Sequence, residues 1–230
     1  MSPFSIRLGA AAGWLALVGV IAGLVIIPTA IAGQPPTSAS ASSDVRTYFA
    51  HSELTILLGF VPGFIAVAFI AFGLGLRAAM SSGSDRDRAF ADVGLGLLLV
   101  AMAINVVSGA LGAALVDVAS RGGELASLFR LHEVLYNGLA DVLEGAWIAA
   151  FSVAMLGGAM PRWVAWFGVA FGLGHWIKAL EPFIALPAAI DVLFGPLLLV
   201  WFLATVVALT RIALRSTSVV ASLRGATELT

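Results

Sequence analysis

The chain has 230 residues, of which 60% are hydrophobic and only 11% are charged, and its mean hydropathy is +1.04. A water-soluble domain carries about 25% charged residues, so this composition indicates a membrane protein. The net charge of -1 leaves no basic surface for nucleic acid, which excludes nucleic-acid binding. The absence of cysteine excludes disulfides, thiolate metal sites and cysteine nucleophiles.

Six predominantly apolar stretches are long enough to be membrane spans, because a helix needs about 20 apolar residues to cross a bilayer core of about 30 Å. They are residues 8–31, 54–76, 93–116, 134–160, 163–180 and 188–209, followed by a tail at 210–230. We therefore predict an all-α transmembrane bundle of six helices that forms a single domain over residues 1–230. The first apolar run is longer than the h-region of a signal peptide, about 7 to 15 residues, so we expect this helix to be retained.

The basic residues predict how the bundle is oriented. Eight arginines fall on one side of the predicted spans, and at most four basic residues, including Lys178, fall on the other side. Because Lys and Arg are enriched in cytoplasmic loops, we expect both termini and the tail in the cytoplasm. Eleven arginines against one lysine, with abundant Ala and Gly, are typical of a GC-rich bacterial genome. The predicted location is the bacterial cytoplasmic membrane.

Small residues spaced four apart predict that helices pack closely, because glycine lets two backbones approach in lipid. The pairs are Gly9/Gly13, Gly19/Gly23, Gly59/Gly63 and Gly168/Gly172.

Polar side chains of the last three predicted spans converge on the outer half of the membrane. At 100° per residue, those of the fourth span share one stripe. The set comprises Glu133, Asn137, Asp141 and Glu144 in and before the fourth span, His175 and Lys178 in the fifth, and Asp191 in the sixth. An ionisable group at mid-membrane costs about 2.5 to 3.5 kcal/mol, so these side chains should face the bundle interior. With several carboxyls and one lysine, at least one carboxyl is expected to be neutral at pH 7.

Other interpretations of these residues remain open. In a structural one, Lys178 pairs with Asp141 or Glu144, and Asn137 joins helices by hydrogen bonds. The flanking polar residues are expected to be solvated at the membrane interface; they are His51, Glu53, Asp117, His132 and Glu133. A metal site from Asp141, Glu144, His175 and Asp191 would have suitable ligand types, but no diagnostic spacing supports it. We predict no metal and no cofactor.

Two classes of function fit this pattern. The first is a membrane-embedded acid-base enzyme, a cyclase or isomerase that protonates an apolar, isoprenoid-like substrate. Its predicted catalytic residues are Asp141, Glu144, Asp191, His175 and Lys178. Its predicted substrate-binding residues are Asn105, Asn137 and a set of aromatic side chains whose π faces can stabilise a carbocation, namely Trp147, Phe171, Trp176, Phe194 and Trp201. The second class is a proton-coupled transporter or sensor, and a noncatalytic membrane protein also remains possible. The expected partners are the lipid bilayer and a hydrophobic small molecule.

Three segments carry a likeness to a known family. They are Asp-Val-Arg-Thr-Tyr-Phe at 44–49, Pro-Arg-Trp-Val-Ala-Trp-Phe-Gly at 161–168, and Phe-Gly-Pro-Leu at 194–197 followed by Val-Trp at 200–201. With these segments the chain resembles an uncharacterised family of bacterial, especially actinobacterial, six-helix membrane proteins known as a domain of unknown function. The resemblance covers most of the chain and implies the fold but no activity. The fourth helix of that family is usually apolar, so Asp141 and Glu144 indicate a specialised member.

Overall fold

The computed structural model describes residues 3–37, 40–184, 186 and 188–227, with side chains outside residue 3 and the ranges 188–192 and 216–227. This part of the chain forms seven helices and no strand. They are α1 (Phe4–Ala32), α2 (Ser42–Phe49), α3 (Leu54–Met80), α4 (Asp85–Ser120), α5 (Ala126–Met155), α6 (Arg162–Lys178) and α7 (Ala188–Thr227). The predicted all-α fold is confirmed.

Five of the seven helices, α1, α3, α4, α5 and α7, are long and apolar enough to cross a membrane. This indicates a multi-pass helical membrane protein, as the sequence predicts. Helix α6 has 17 residues, which at a rise of 1.5 Å per residue corresponds to about 25 Å, less than the hydrocarbon core of about 30 Å. The sixth pass therefore stays a prediction.

Several helices extend beyond the predicted spans. Helix α4 begins at Asp85, and α5 begins at Ala126, eight residues before the predicted start at 134. The limits of the predicted spans are set at the nearest charged residues. A helix nevertheless continues past the bilayer core wherever its polar side chains reach water. The backbone of α7 is helical through Thr227, so the segment predicted as a tail continues the last helix.

The half of the bundle next to the α3–α4 loop is a closely packed apolar core, which we call the packed core. Trp147 and Trp201 are 1% and 0% exposed, and their rings lie 5.7 Å apart. Phe202 stacks on Phe69 and meets Phe72 edge-on, with both ring centroids 4.9 Å away. Such interlocked aromatic packing fixes the relative positions of α3, α5 and α7.

Glycines allow two pairs of helices to cross backbone to backbone. A Cβ atom added at Gly9 would lie 2.4 Å from the Cα atom of Gly75, and one added at Gly145 would lie 2.4 Å from the carbonyl oxygen of Gly172. No larger side chain fits at these crossings of α1 with α3 and of α5 with α6. This confirms the prediction for Gly9 and Gly172. The prediction of close packing is wrong for Gly63, where an added Cβ atom would have no neighbouring atom within 4 Å among the described residues.

Two of the long helices widen locally into π-helical turns, at Val20–Ile26 in α1 and at Val134–Ala140 in α5. In α1 the turn precedes Pro28, whose ring would clash with the carbonyl group four residues earlier, at Leu24. The wider turn relieves that clash. π turns occur frequently at functional sites, and both of these lie in the half of the bundle opposite the packed core.

Candidate functional site

A cavity of about 400 Å³ adjoins the packed core, with which it shares Ile65, Phe69 and Met102, and all seven described helices contribute to its wall. Its apolar side comes mainly from α1, α3 and α4, with Leu24, Leu58, Ile65 and Met102 among the lining residues. Its polar side comes mainly from α5 and the end of α6. The polar lining residues with ionisable or amide groups are Asn105, His132, Glu133, Tyr136, Asn137, Glu144, Lys178 and Glu181.

Glu144 is the half-buried carboxyl group that α5 directs into this cavity. Among the described residues, its side chain forms no hydrogen bond or ion pair. A carboxyl group inside a membrane-spanning helix normally acquires a partner, because an unpaired charge there is costly. Glu144 is therefore available to a molecule that occupies the cavity.

Lys178 and Asp141 form the ion pair that the structural interpretation of the sequence predicts. The Nζ atom of Lys178 donates a hydrogen bond of 2.6 Å to Oδ2 of Asp141, and it lies 3.7 Å from Oε2 of Glu181. The Lys178 and Asp141 side chains are only 16% and 11% exposed. The pair joins α5 to α6 beside Glu144, and of the two partners predicted for Lys178, Asp141 or Glu144, it is Asp141 that Lys178 contacts.

Asp141 and Glu144 have different surroundings, although the sequence places both on one stripe. Both follow the π turn at Val134–Ala140 and lie in one regular α-helical segment, so they are about 60° apart at 100° per residue. Asp141 faces Lys178 and does not line the cavity, whereas Glu144 does. The π turn changes the angle of both acids only relative to the residues before it, such as Glu133.

The prediction that Glu133 is solvated at the membrane interface is wrong. It is only 3% exposed, because α5 begins at Ala126 and places Glu133 two turns inside the helix. Its Oε2 atom accepts a hydrogen bond of 3.1 Å from Nδ2 of Asn137, a predicted substrate-binding residue that lines the cavity. The sequence indicates this contact because Glu133 and Asn137 are four residues apart, which places their side chains on the same face of a helix.

His132 is likewise not simply interfacial. Its ring stacks between Phe129 and Tyr136 at interplanar angles of 12° and 21°, and its Nδ1 atom lies 3.7 Å from Oε1 of Glu133. Glu53 and Asp117, by contrast, are exposed as expected.

His175 lies behind the cavity wall rather than in it. It is 3% exposed, its Nδ1 atom is 3.4 Å from the carbonyl oxygen of Phe171, and its ring contacts those of Phe171 and Phe194. One potential ligand atom from each of His175, Asp141 and Glu144 lies within 4.8 Å of the other two, a spacing a metal ion could use. The Lys178 ammonium group competes with any such ion for Asp141, since it already holds Oδ2. The side chain of Asp191, the fourth candidate ligand, is outside the described residues.

The aromatic residues predicted to bind substrate do not line the cavity. Trp147, Trp201 and Phe171 are at most 5% exposed and belong to the packed core, because the apolar ends of α5, α6 and α7 pack against one another. Phe194 stacks on Phe171, 5.5 Å away. Trp176 is 47% exposed, and its Nε1 atom donates a hydrogen bond of 3.2 Å to the Val142 carbonyl.

Other aromatic residues line the cavity instead. The rings in the cavity wall belong to Tyr48, Phe49, Phe69, Phe129 and Tyr136. They come from α2, α3 and the first turns of α5, and only tertiary packing brings these segments together. The predicted polar residue Asn105 does line the cavity, and its Nδ2 atom donates a hydrogen bond of 3.1 Å to the Ala101 carbonyl.

A second pocket of about 640 Å³ lies between α2 and the start of α5. Its lining includes Arg46, Glu124 and Arg130, and it shares Phe129 and Glu133 with the cavity. Only a thin wall of side chains therefore separates the two spaces.

Comparison of the chain with protein-family profiles, curated proteins and solved structures finds no match. The resemblance to the actinobacterial six-helix family therefore stays a prediction. The fold and the cavity define the class of protein, a helical membrane protein whose long apolar helices surround a cavity with one apolar side and one polar side.

Proposed function

We propose that the protein is a membrane-embedded acid-base enzyme in which Glu144 exchanges a proton with an apolar substrate held in the cavity. The observation that carries this proposal is the position of Glu144, which lines a largely apolar cavity and has no hydrogen-bond or ion-pair partner among the described residues. A carboxyl group in a low-dielectric site is costly as an unpaired charge and is well suited to give up and take back a proton.

The simplest reaction of such a site is an isomerisation. The proton of the Glu144 carboxyl group moves to a double-bond carbon of the substrate, which leaves a carboxylate on Glu144 and a positive charge on the substrate. Loss of a proton from a neighbouring substrate carbon to the Glu144 carboxylate then forms the shifted double bond and restores the acid. No oxidant, reductant or second substrate is needed.

The Lys178–Asp141 pair acts on this step by position and charge. Its ammonium group is fixed 2.6 Å from Asp141, and carboxylate oxygens of Asp141 and Glu144 lie within 4.8 Å of each other, so the pair places one positive and one negative charge beside the reacting acid. The aromatic residues predicted to surround a carbocation lie in the packed core, and other rings line the cavity in their place. We propose an isomerase-type reaction because it is the simplest acid-base reaction that a single proton-exchanging carboxyl group can perform.

The proposed setting is the bacterial cytoplasmic membrane, with both termini in the cytoplasm and the cavity toward the outside. The charge bias of the loops supports this orientation, with eight basic residues on one side against at most four on the other.

The direct test is a comparison of lipid and terpenoid products between strains that lack the gene and carry either wild type, Glu144→Gln or Glu53→Gln. Glu144→Gln keeps the shape of the side chain but removes the transferable proton, so product formation should fall by about 100-fold with little change in melting temperature. Glu53 is an exposed carboxyl near the same end of the bundle, and its amide variant should match wild type.

An unchanged product profile in a stable Glu144→Gln strain contradicts the enzyme. Loss of pH-dependent uptake into vesicles, with no product altered, would favour the proton-coupled transporter instead.

A further inference from the structure

The cavity carries more acidic groups than basic ones. Among the described residues, Glu133, Glu144 and Glu181 line it together with Lys178 and with His132, whose Nδ1 atom lies 3.7 Å from Oε1 of Glu133. Lys178 is already shared between Glu181, at 3.7 Å, and a further carboxylate, Asp141, to which it is hydrogen-bonded. Arg46 and Arg130 line the neighbouring pocket and not the cavity. In a low-dielectric interior, excess carboxyl groups are balanced by protons or by a positively charged ligand.

The remaining wall favours an organic cation over a hydrated one. Aromatic rings line the cavity from α2, α3 and α5, and ring faces attract positive charge most strongly when water is excluded. The apolar side chains of Leu58, Ile65 and Met102 offer a metal ion or an inorganic ammonium ion no replacement for the water it would lose. They do match the hydrocarbon part of a larger molecule.

We propose that the bound form of the cavity's ligand is an apolar organic cation, positioned with its charge toward Glu144 and Glu133. The cavity of about 400 Å³ is within the usual range of small-molecule sites, about 300 to 1,000 Å³. This inference rests on the proposed function and names the charge state that the cavity stabilises: once Glu144 has given its proton to a neutral apolar substrate, the cavity holds a substrate cation beside the Glu144 carboxylate. A stable cation of similar shape should therefore bind more tightly than its uncharged counterpart.

Three probes of nearly the same shape separate charge from size. They are benzyltrimethylammonium, neopentylbenzene, in which carbon replaces the nitrogen, and phenylmethanesulfonate, in which the charged group is an anion. Binding of each probe to the purified full-length protein in lipid nanodiscs is measured by calorimetry and by the shift in melting temperature. The cation should bind at least about 10-fold more tightly than the neutral probe, and the anion least tightly. Equal affinity for the cation and the neutral probe would overturn the inference.

Variants identify the groups that select the charge. Glu144→Gln and Glu133→Gln should each weaken binding of benzyltrimethylammonium by about 10-fold while leaving neopentylbenzene unaffected. Glu53→Gln, at an exposed carboxyl outside the cavity wall, should change neither affinity. If both cavity variants still prefer benzyltrimethylammonium to neopentylbenzene as strongly as wild type does, Glu144 and Glu133 do not select the charge of the ligand.

The two proposals fail in different ways. If the cation binds selectively but Glu144→Gln leaves the cell's products unchanged, the ligand class stands and the enzyme does not. If the products are lost in that variant but the three probes bind equally, the acid-base function stands and the inference about the ligand does not.

Discussion

The packed core and the cavity are built from the same helices, yet they differ in almost every physical respect. In the packed core Trp147, Trp201 and Phe72 are at most 1% exposed and the helices have regular α geometry around them. Around the cavity two helices contain π turns, and polar side chains replace apolar ones. Helices α3, α4, α5 and α7 run through both regions. The rigid half can therefore hold the polar half at a fixed geometry, as a preorganised site requires.

The largest expected effect is in the packed core. Trp201→Ala removes a fully buried ring whose N–H group has no hydrogen-bond partner among the described residues, so the loss is one of packing. We expect the free energy of unfolding to fall by about 3 to 5 kcal/mol. Leu198→Ala, three residues earlier on α7 and only partly buried at the cavity wall, should cost less. Denaturant unfolding in detergent measures both, and equal losses would contradict the contrast between the two regions.

A smaller loss of stability is expected when the ion pair beside the cavity is broken. Lys178→Met strands the carboxylate of Asp141, whereas Lys178→Arg keeps a positive charge there. We expect Lys178→Met to cost about 2 kcal/mol, below the 3 to 5 kcal/mol of fully buried pairs because both side chains retain some exposure.

The double variant Lys178→Met with Asp141→Asn supplies the control, because it removes the stranded charge and should recover part of the loss. If the methionine and arginine variants melt at the same temperature, the pair does not contribute to stability.

The difference between the packed core and the cavity also explains how much of the structure could be predicted from the sequence. Apolar runs and the spacing of glycines are local signals, so the helices and the approach of Gly9 and Gly172 to neighbouring backbones follow from them. The pairing of Lys178 with Asp141 follows from the scarcity of other buried cations. The burial of Glu133 and the choice of Asp141 over Glu144 as the partner of Lys178 depend on how α5 packs against its neighbours, which no local pattern predicts. The cavity's aromatic residues depend on tertiary packing alone.

The smallest effect is expected at the α3–α4 loop, on the packed side. Oδ2 of Asp87 accepts hydrogen bonds of 2.7 and 2.9 Å from the hydroxyl and backbone N–H groups of Ser84, and the first-named bond contributes most to holding the pKa of Asp87 below its ordinary value of 3.8. Because the folded-state pKa is lowered, this stabilisation is fully present above pH 3.8 and is lost as the pH falls through the folded value.

Asp87→Asn should therefore lower the melting temperature slightly at pH 7, and the difference from wild type should shrink below pH 3.8. Melting curves across that range measure it. A difference that grows on acidification would contradict the role of the carboxylate, and binding of cations in the cavity should be unaffected at pH 7.

The central claim is that one helix, α5, passes from the packed core into the polar side of the cavity wall, and thiol labelling tests it most directly. The chain has no cysteine, so single cysteines can be placed at Asn137, in the cavity wall, and at Ser152, which is 0% exposed in the packed core. In intact cells, a membrane-impermeant thiol reagent should modify Asn137→Cys, and benzyltrimethylammonium should slow that reaction, whereas Ser152→Cys should react only after denaturation. Protection of Asn137→Cys from both faces of the membrane, or equal reactivity at the two positions, would contradict the account.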